Sequence, residues 1–195
     1  MRVCLLSFSG RKKPGNCFKV LQYIGEVLEN RGVEYSLLNM TDYKINGCGN
    51  CSYECMVSDR RQCCHEDHVA FLYKTIAAHD LAIMALPVYS GAPCSRFFAF
   101  NERSQSVFGD LTLYERYSRI TKNYVVIGNE EAGGLDALNM ISVIEENVGE
   151  VLLLQSHHYG LDSLSGTLTD ISEVKSTLDM FVQSILLGRV ESPRK

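Results

Sequence analysis

Leu81-Ala82-Ile83-Met84-Ala85-Leu86 is an unbroken apolar run, followed directly by Pro87-Val88-Tyr89-Ser90-Gly91. A run this short, apolar at every position and closed by turn-forming residues, fits a strand covered on both faces, as in a parallel sheet. Pro87 is expected to break it. The chain on either side keeps the same rhythm. Residues 2–7 form another short apolar run. A loop rich in Ser, Gly and Lys follows, and Asn16 is placed to cap a helix whose Phe18, Val20, Leu21, Ile24, Val27 and Leu28 recur at helical spacing. Arg31-Gly32 stops that helix, and 33–38 reads as a second strand. Residues 68–78 carry Val69, Leu72, Tyr73 and Ile76 on one helical face. Further on, 92–100 and 112–120 read as helical, 124–127 as a strand ended by Gly128-Asn129, and 135–147 as a helix. A fifth strand covers 151–154, and a last amphipathic helix covers 171–187 up to Gly188.

Five strands alternating with helices predict an α/β fold, a three-layer sandwich with helices on both faces of a parallel sheet. Right-handed crossovers leave few topologies, and the flavodoxin-like order 2-1-3-4-5 fits best. At 195 residues the chain is long enough for one hydrophobic core and short for two. The expected organisation is a single domain over 1–190, a Cys-rich loop at 41–65 with no clean period, and a polar tail at 191–195. A net charge of -4 argues against a nucleic-acid partner, which needs a basic face. No apolar run approaches the roughly 20 residues of a membrane span, so no membrane partner is expected. The N-terminus lacks the form of a secretory signal, which points to the cytoplasm.

In this topology, ligands bind beyond the carboxyl ends of strands 1, 3 and 4. The loop Ser7 to Cys17 presents Ser9, Arg11 and two glycines before a helix N-terminus, where free N–H groups and the helix dipole favour a phosphate. The loop Pro87-Val88-Tyr89-Ser90-Gly91 can lay backbone N–H groups along a planar ring beside an aromatic side chain. Gly128 and Asn129 open a third loop, and each of the three is also readable as an ordinary turn. Cys48, Cys51, Cys55, Cys63 and Cys64 crowd into 17 residues. Thiols this dense can gather a metal or cluster, bind zinc, exchange disulfides or stay reduced without metal. Cys63 is favoured over its neighbour Cys64, because adjacent residues do not easily ligate one site. His65 and His68 border the loop as weaker ligands. Cys4 and Cys94 read as core packing.

These residues resemble the NADPH-dependent FMN reductase family, particularly its iron–sulfur flavoprotein and multimeric flavodoxin-like branches. Ser9, Arg11, Gly15, Asn16 and Cys17 fill that family's G-S-x-R-x-x-G-N-T loop, with one residue extra and Cys17 for Thr. Glu66-Asp67-His68, Leu72-Tyr73-Lys74 and Asp80 are similar to its next motifs. Pro87-Val88-Tyr89 matches P-V-Y, Ala99-Phe100 with Glu102-Arg103 resembles the end of K-a-F-x-D-R, and Gly128, Gly133 and Gly134 follow its glycine loop. The resemblance extends to about residue 154. It implies that Ser9, Arg11, Asn16 and Cys17 hold the phosphate of FMN. Pro87, Val88, Tyr89, Ser90 and Gly91 would then line its ring, with Gly128 and Asn129 on the other side. The iron–sulfur branch carries C-x2-C-x2-C and a later Cys, against C-x2-C-x3-C here, which implies a [4Fe-4S] cluster on Cys48, Cys51, Cys55 and Cys63. Homodimers or homotetramers are implied as well.

The function expected is an FMN-dependent NAD(P)H oxidoreductase passing electrons to a small acceptor or through a Cys-bound cluster. No side chain need act as acid or base in such a hydride step, so no catalytic residue is assigned. An alternative is an electron carrier or redox sensor serving partner proteins without turnover of its own. A third reading is a zinc- or thiol-based binding protein without flavin.

Overall fold

The computed structural model describes residues 1–11, 14–49, 51–57, 63–128, 131–161 and 167–190, with the backbone alone at 131–133 and 189–190. The strands are β1 (Arg2–Ser7), β2 (Glu34–Asn39), β3 (Leu81–Tyr89), β4 (Ala92–Pro93), β5 (Thr121–Gly128) and β6 (Val148–Gln155). The helices are α1 (Asn16–Glu29), α2 (Glu54–Val57), α3 (Val69–Ala77), α4 (Ser95–Glu102), α5 (Leu111–Arg119), α6 (Glu131–Ile144) and α7 (Ser172–Val190). The long strands run parallel in the order β2-β1-β3-β5-β6. The two-residue β4 pairs antiparallel with β3. With β4 set aside, the expected order 2-1-3-4-5 is the one observed, and the fold is flavodoxin-like α/β.

Period-two alternation builds two cores from one sheet. Cys4, Leu6 and Phe8 near β1, Ala82, Met84 and Leu86 of β3, and Tyr124 and Val126 of β5 face α3, α4 and α5. Val3, Leu5, Leu81, Ile83, Ala85, Val125 and Ile127 face α1 and α7. Helix α1 turns Val20, Leu21, Ile24 and Leu28 inward, and each fully buried side chain of this kind stabilises by about 1.5–3 kcal/mol. Where β5 and β6 slip register between Lys122 and Tyr124, the buried Asn123 bridges the break. Its Nδ2 donates to the Ala82 carbonyl at 3.2 Å, and its Oδ1 accepts from the Glu150 N–H at 2.9 Å.

Several elements depart from expectation. Pro87 does not break β3. The β1 pairing ends at Ser7 opposite Ala85, whereas β5 pairs onward to Pro87 opposite Ile127. The Ala85 carbonyl accepts from Phe8 N–H on the β1 side, and position 87 faces the same way, past the end of β1. The missing N–H of Pro87 therefore costs no ladder bond. Residues 92 and 93 are strand rather than helix, because Ser90 and Gly91 turn the chain back with φ of 49° and 78°. Asn16 does not cap α1. Gly15 holds the cap position, and Asn16 Oδ1 accepts from the Leu168 N–H at 3.0 Å. Gly188 does not end α7, which continues to Val190, since Gly188 lacks the left-handed backbone that terminates helices. The cysteine loop contains the short α2, which no sequence period announced.

Candidate functional site

At the carboxyl rim, Ser9, Arg11, Gly15, Asn16 and Cys17 face Pro87, Val88 and Tyr89 across a groove of about 190 Å³. The extra lining comes from Ile127 and Ser156. The first wall is a β1-to-α1 loop that folds on its own hydroxyls. Ser9 N–H donates to Ser7 Oγ at 3.4 Å, and Arg11 N–H donates to Ser9 Oγ at 3.3 Å. It delivers the chain into α1 through Gly15, which has no side chain to satisfy the first-turn N–H groups. An uncapped start of a 14-residue helix, with Ser9 and Arg11 beside it, has the chemistry of an anion site. The second wall is the β3–β4 hairpin. Tyr89 at its tip is 54% exposed and offers an aromatic face. Partial burial raises its phenol pKa, and the Arg11 guanidinium draws it back down. Ser90 and Gly91 form the hairpin turn itself. Gly128 lies across from Val88, at ordinary contact distance for an added Cβ. Asn129 falls outside the described residues, as do Lys12 and Lys13.

Cys17 is buried, and its thiol is pushed up by burial first and by Cys94 second, with Arg11 pulling the other way. It therefore stands in the groove as a protonated thiol, a weak donor and not a nucleophile. Cys94 donates to the Phe8 carbonyl at 3.3 Å, and burial holds the Cys4 thiol at about 12, so both pack as expected. Ser156 and Ile127 were missed. Ser156 follows the last residue of β6, a strand expected to end one residue earlier, at 154. His157 and His158, just beyond it, are exposed and pack on each other at 4.2 Å between rings.

The cysteine loop is tied to the body by the end of α4. Arg103 Nη1 donates to Asp67 Oδ2 at 2.7 Å and to the Asn46 carbonyl at 3.0 Å. Asp67 also accepts the N–H groups of Asn46 and Val69, so it anchors the loop and starts α3 together. Glu102 accepts from the Cys48 N–H at 3.3 Å. All eight cysteines are free. The Cys55 thiol is raised by burial and then by Cys63, Cys51 and Cys48, so the four expected ligands are electrostatic neighbours. Among the described residues, other donors form compact groups. Cys63, Cys64 and His65 offer ligand atoms within 4.8 Å of one another, and so do Cys51, Glu54 and Cys64. Adjacent Cys63 and Cys64 thus do converge, contrary to expectation, and the common member is Cys64. A cubane cluster presents four thiolates at separate corners. The two sets around Cys64 are close enough for a single ion, a tighter spacing than a cubane's corners need.

A flavodoxin-like sheet thus carries, at its carboxyl rim, a helix start without a side-chain cap facing an aromatic hairpin across a groove. Residues 1–115 match the family described as NADPH-dependent FMN reductase, and the chain belongs to that family. A curated relative, the Iron-sulfur flavoprotein of Archaeoglobus fulgidus, is 28% identical over 120 residues, covering 62% of this chain and 53% of that protein. The chain thus spans about half the length of that relative. Among solved structures, RosB with bound 8-demethyl-8-formylriboflavin-5'-phosphate aligns at a TM-score of 0.69 and 16% identity, over 94% of this chain and 76% of RosB. The apo form of the NADH:FMN oxidoreductase EMOB aligns at 0.59 and 12% identity, over 96% and 89% respectively.

Proposed function

We propose that the protein is an FMN-dependent NAD(P)H oxidoreductase, built as one domain over residues 1–190, that passes electrons to a small acceptor. The observation that carries this reading is the groove that sets Ser9, Arg11, Asn16 and Cys17 opposite Pro87, Val88 and Tyr89. When bound, FMN supplies the chemistry, taking hydride from the nicotinamide and handing electrons on. The chain supplies position and charge. The Ser9 hydroxyl, the Arg11 guanidinium and the open first turn of α1 bind the phosphate. Asn16 and Cys17 close the floor of that pocket. The Tyr89 to Gly91 turn would supply backbone N–H groups to the ring edge, where such donors favour negative charge on the reduced form. Gly128, with no side chain of its own, leaves room across from Val88, and Asn129 belongs to the proposed site by resemblance alone. The ligand named with RosB and the activity named for EMOB support the same ligand class.

An electron exit through a [4Fe-4S] cluster on Cys48, Cys51, Cys55 and Cys63 is the alternative, supported by the name of the archaeal relative. The donor spacing in the loop argues for a different occupant. Self-association into dimers or tetramers belongs to the proposal, and the exposed Leu135, Met140 and Val143 of α6 support it. Among the described residues no helix is long and apolar enough to cross a membrane. Free thiols throughout fit a cytoplasmic setting.

Steady-state oxidation of NADPH and NADH by the FMN-loaded chain, with a quinone as acceptor, tests this function. Saturable turnover is expected. Tight FMN retention with negligible nicotinamide oxidation would establish the electron-carrier alternative, and a colourless protein that refuses FMN overturns both.

A further inference from the structure

The donors in the cysteine loop fall into two compact groups that meet at Cys64. A tetrahedral zinc centre with ~2.3 Å Zn–S bonds places its sulfurs about 3.8 Å apart. The ligand atoms of Cys63, Cys64 and His65, and those of Cys51 and Cys64, already lie within 4.8 Å of each other. His65 has the bonding of a metal-bound imidazole. Its Nε2 sits 2.9 Å from the Gly49 carbonyl oxygen, and donation there leaves the lone pair on Nδ1. The backbone N–H of the same residue donates to Cys63 Sγ at 3.5 Å, which favours that sulfur as a thiolate. The Arg103 guanidinium, fixed by Asp67 and the Asn46 carbonyl, sits beside Cys63 and offsets part of the negative charge three thiolates would bring.

We propose that Cys51, Cys63, Cys64 and His65 together hold one zinc ion. Three thiols give up their protons to solvent, the imidazole binds neutral, and no electron moves. Glu54 remains an oxygen donor at the margin, because zinc prefers sulfur and imidazole over carboxylate when both are in reach. Four protein ligands leave no open position, so the ion is structural. It closes the loop between β2 and α3 onto the end of α4, and the thiols of this loop hold shape instead of relaying electrons.

The test uses the full chain, purified without oxygen from cells supplied with both iron and zinc, and assayed for metals and acid-labile sulfide. A single zinc per chain without labile sulfide is expected. Replacement by cobalt(II) should give a thiolate-to-cobalt charge-transfer band and intense tetrahedral d–d bands. Cys64→Ser and His65→Ala should each weaken zinc binding by more than about tenfold, while Cys48→Ser leaves it unchanged. FMN retention by each variant reports its folding independently, and the cobalt spectrum of the unaltered chain decides the matter if a variant fails to fold. Iron with sulfide that survives Cys64→Ser and is lost in Cys48→Ser overturns the proposal, as does unaltered protein free of metal.

Discussion

Arg11 is the charged side chain described in the rim groove, so its removal reads the anion site most directly. A hydrogen bond to a charged group is worth about 1.5–3 kcal/mol. Arg11→Ala should therefore raise the dissociation constant for FMN by at least about tenfold, measured by quenching of flavin fluorescence, with riboflavin binding much less affected. Equal loss for both ligands would remove Arg11 from the phosphate. Asp67 makes the opposite kind of prediction, about stability. Burial alone would lift its carboxyl, but Arg103 and the Asn46 and Val69 N–H groups more than offset that and hold it below the usual carboxylate range. A depressed folded pKa stabilises in full above the unfolded value of about 4 and is lost as pH falls through the lower folded value. Urea midpoints of the unaltered chain should drop below about pH 4, whereas Asp67→Asn should be weaker by about 3–5 kcal/mol at neutral pH and show a flatter acid limb. Identical acid limbs would show that Asp67 is not the linked group. In the sequence Asp67 stood in a resembled motif without a task, because its partners are 21 and 36 positions away.

Helix α1 and strand β2 meet where Gly25 lies under Tyr35. An added Cβ would come within 2.7 Å of two ring carbons. Alanine is the better helix former by about 1 kcal/mol, yet overpacking at such a contact costs about 1–3 kcal/mol. Gly25→Ala should thus lower stability, and Tyr35→Leu in the same chain should restore it, a sign reversal that urea titration of the four-member cycle reads directly. Another junction, the start of β5 against the end of α6, holds a buried charge pair. Lys122 Nζ lies 3.7 Å from Glu145 Oε2 and donates to the Glu146 carbonyl at 2.6 Å. Burial outweighs attraction on both partners, pulling Lys122 down and pushing Glu145 up. Lys122→Met should cost about 3–5 kcal/mol, and Lys122→Met with Glu145→Gln should recover most of it, as expected when the isolated charge is the penalty. Equal midpoints for single and double variants would contradict this. Apolar runs announced the central strands, since burial on both faces demands them. The hairpin at Ser90 and Gly91 was not announced, because a P-V-Y-S-G-A-P string also fits a strand-to-helix turn, and the tertiary freedom of Pro87 beyond β1 is invisible locally.

Strand order, the two cores and the rim position of the groove were all legible in the sequence, because strand and helix alternation with right-handed crossovers leaves little choice. Cys64 and His65 were legible as residues but not as partners, since their convergence with Cys51 depends on how the loop folds. For the molecule as a whole, a ligand held by both walls of the groove stabilises the native state by mass action, about 2.7 kcal/mol at a hundredfold excess over the dissociation constant. The melting temperature should rise with FMN concentration, and a flat response in differential scanning calorimetry would contradict the groove as its site. The bond from the Leu168 amide to Asn16 Oδ1 spans 152 positions and lands on the first turn of α1. That amide proton should therefore exchange with deuterium at a rate set by the cofactor loop, making one remote peptide group a spectroscopic gauge of occupancy at the other end of the chain.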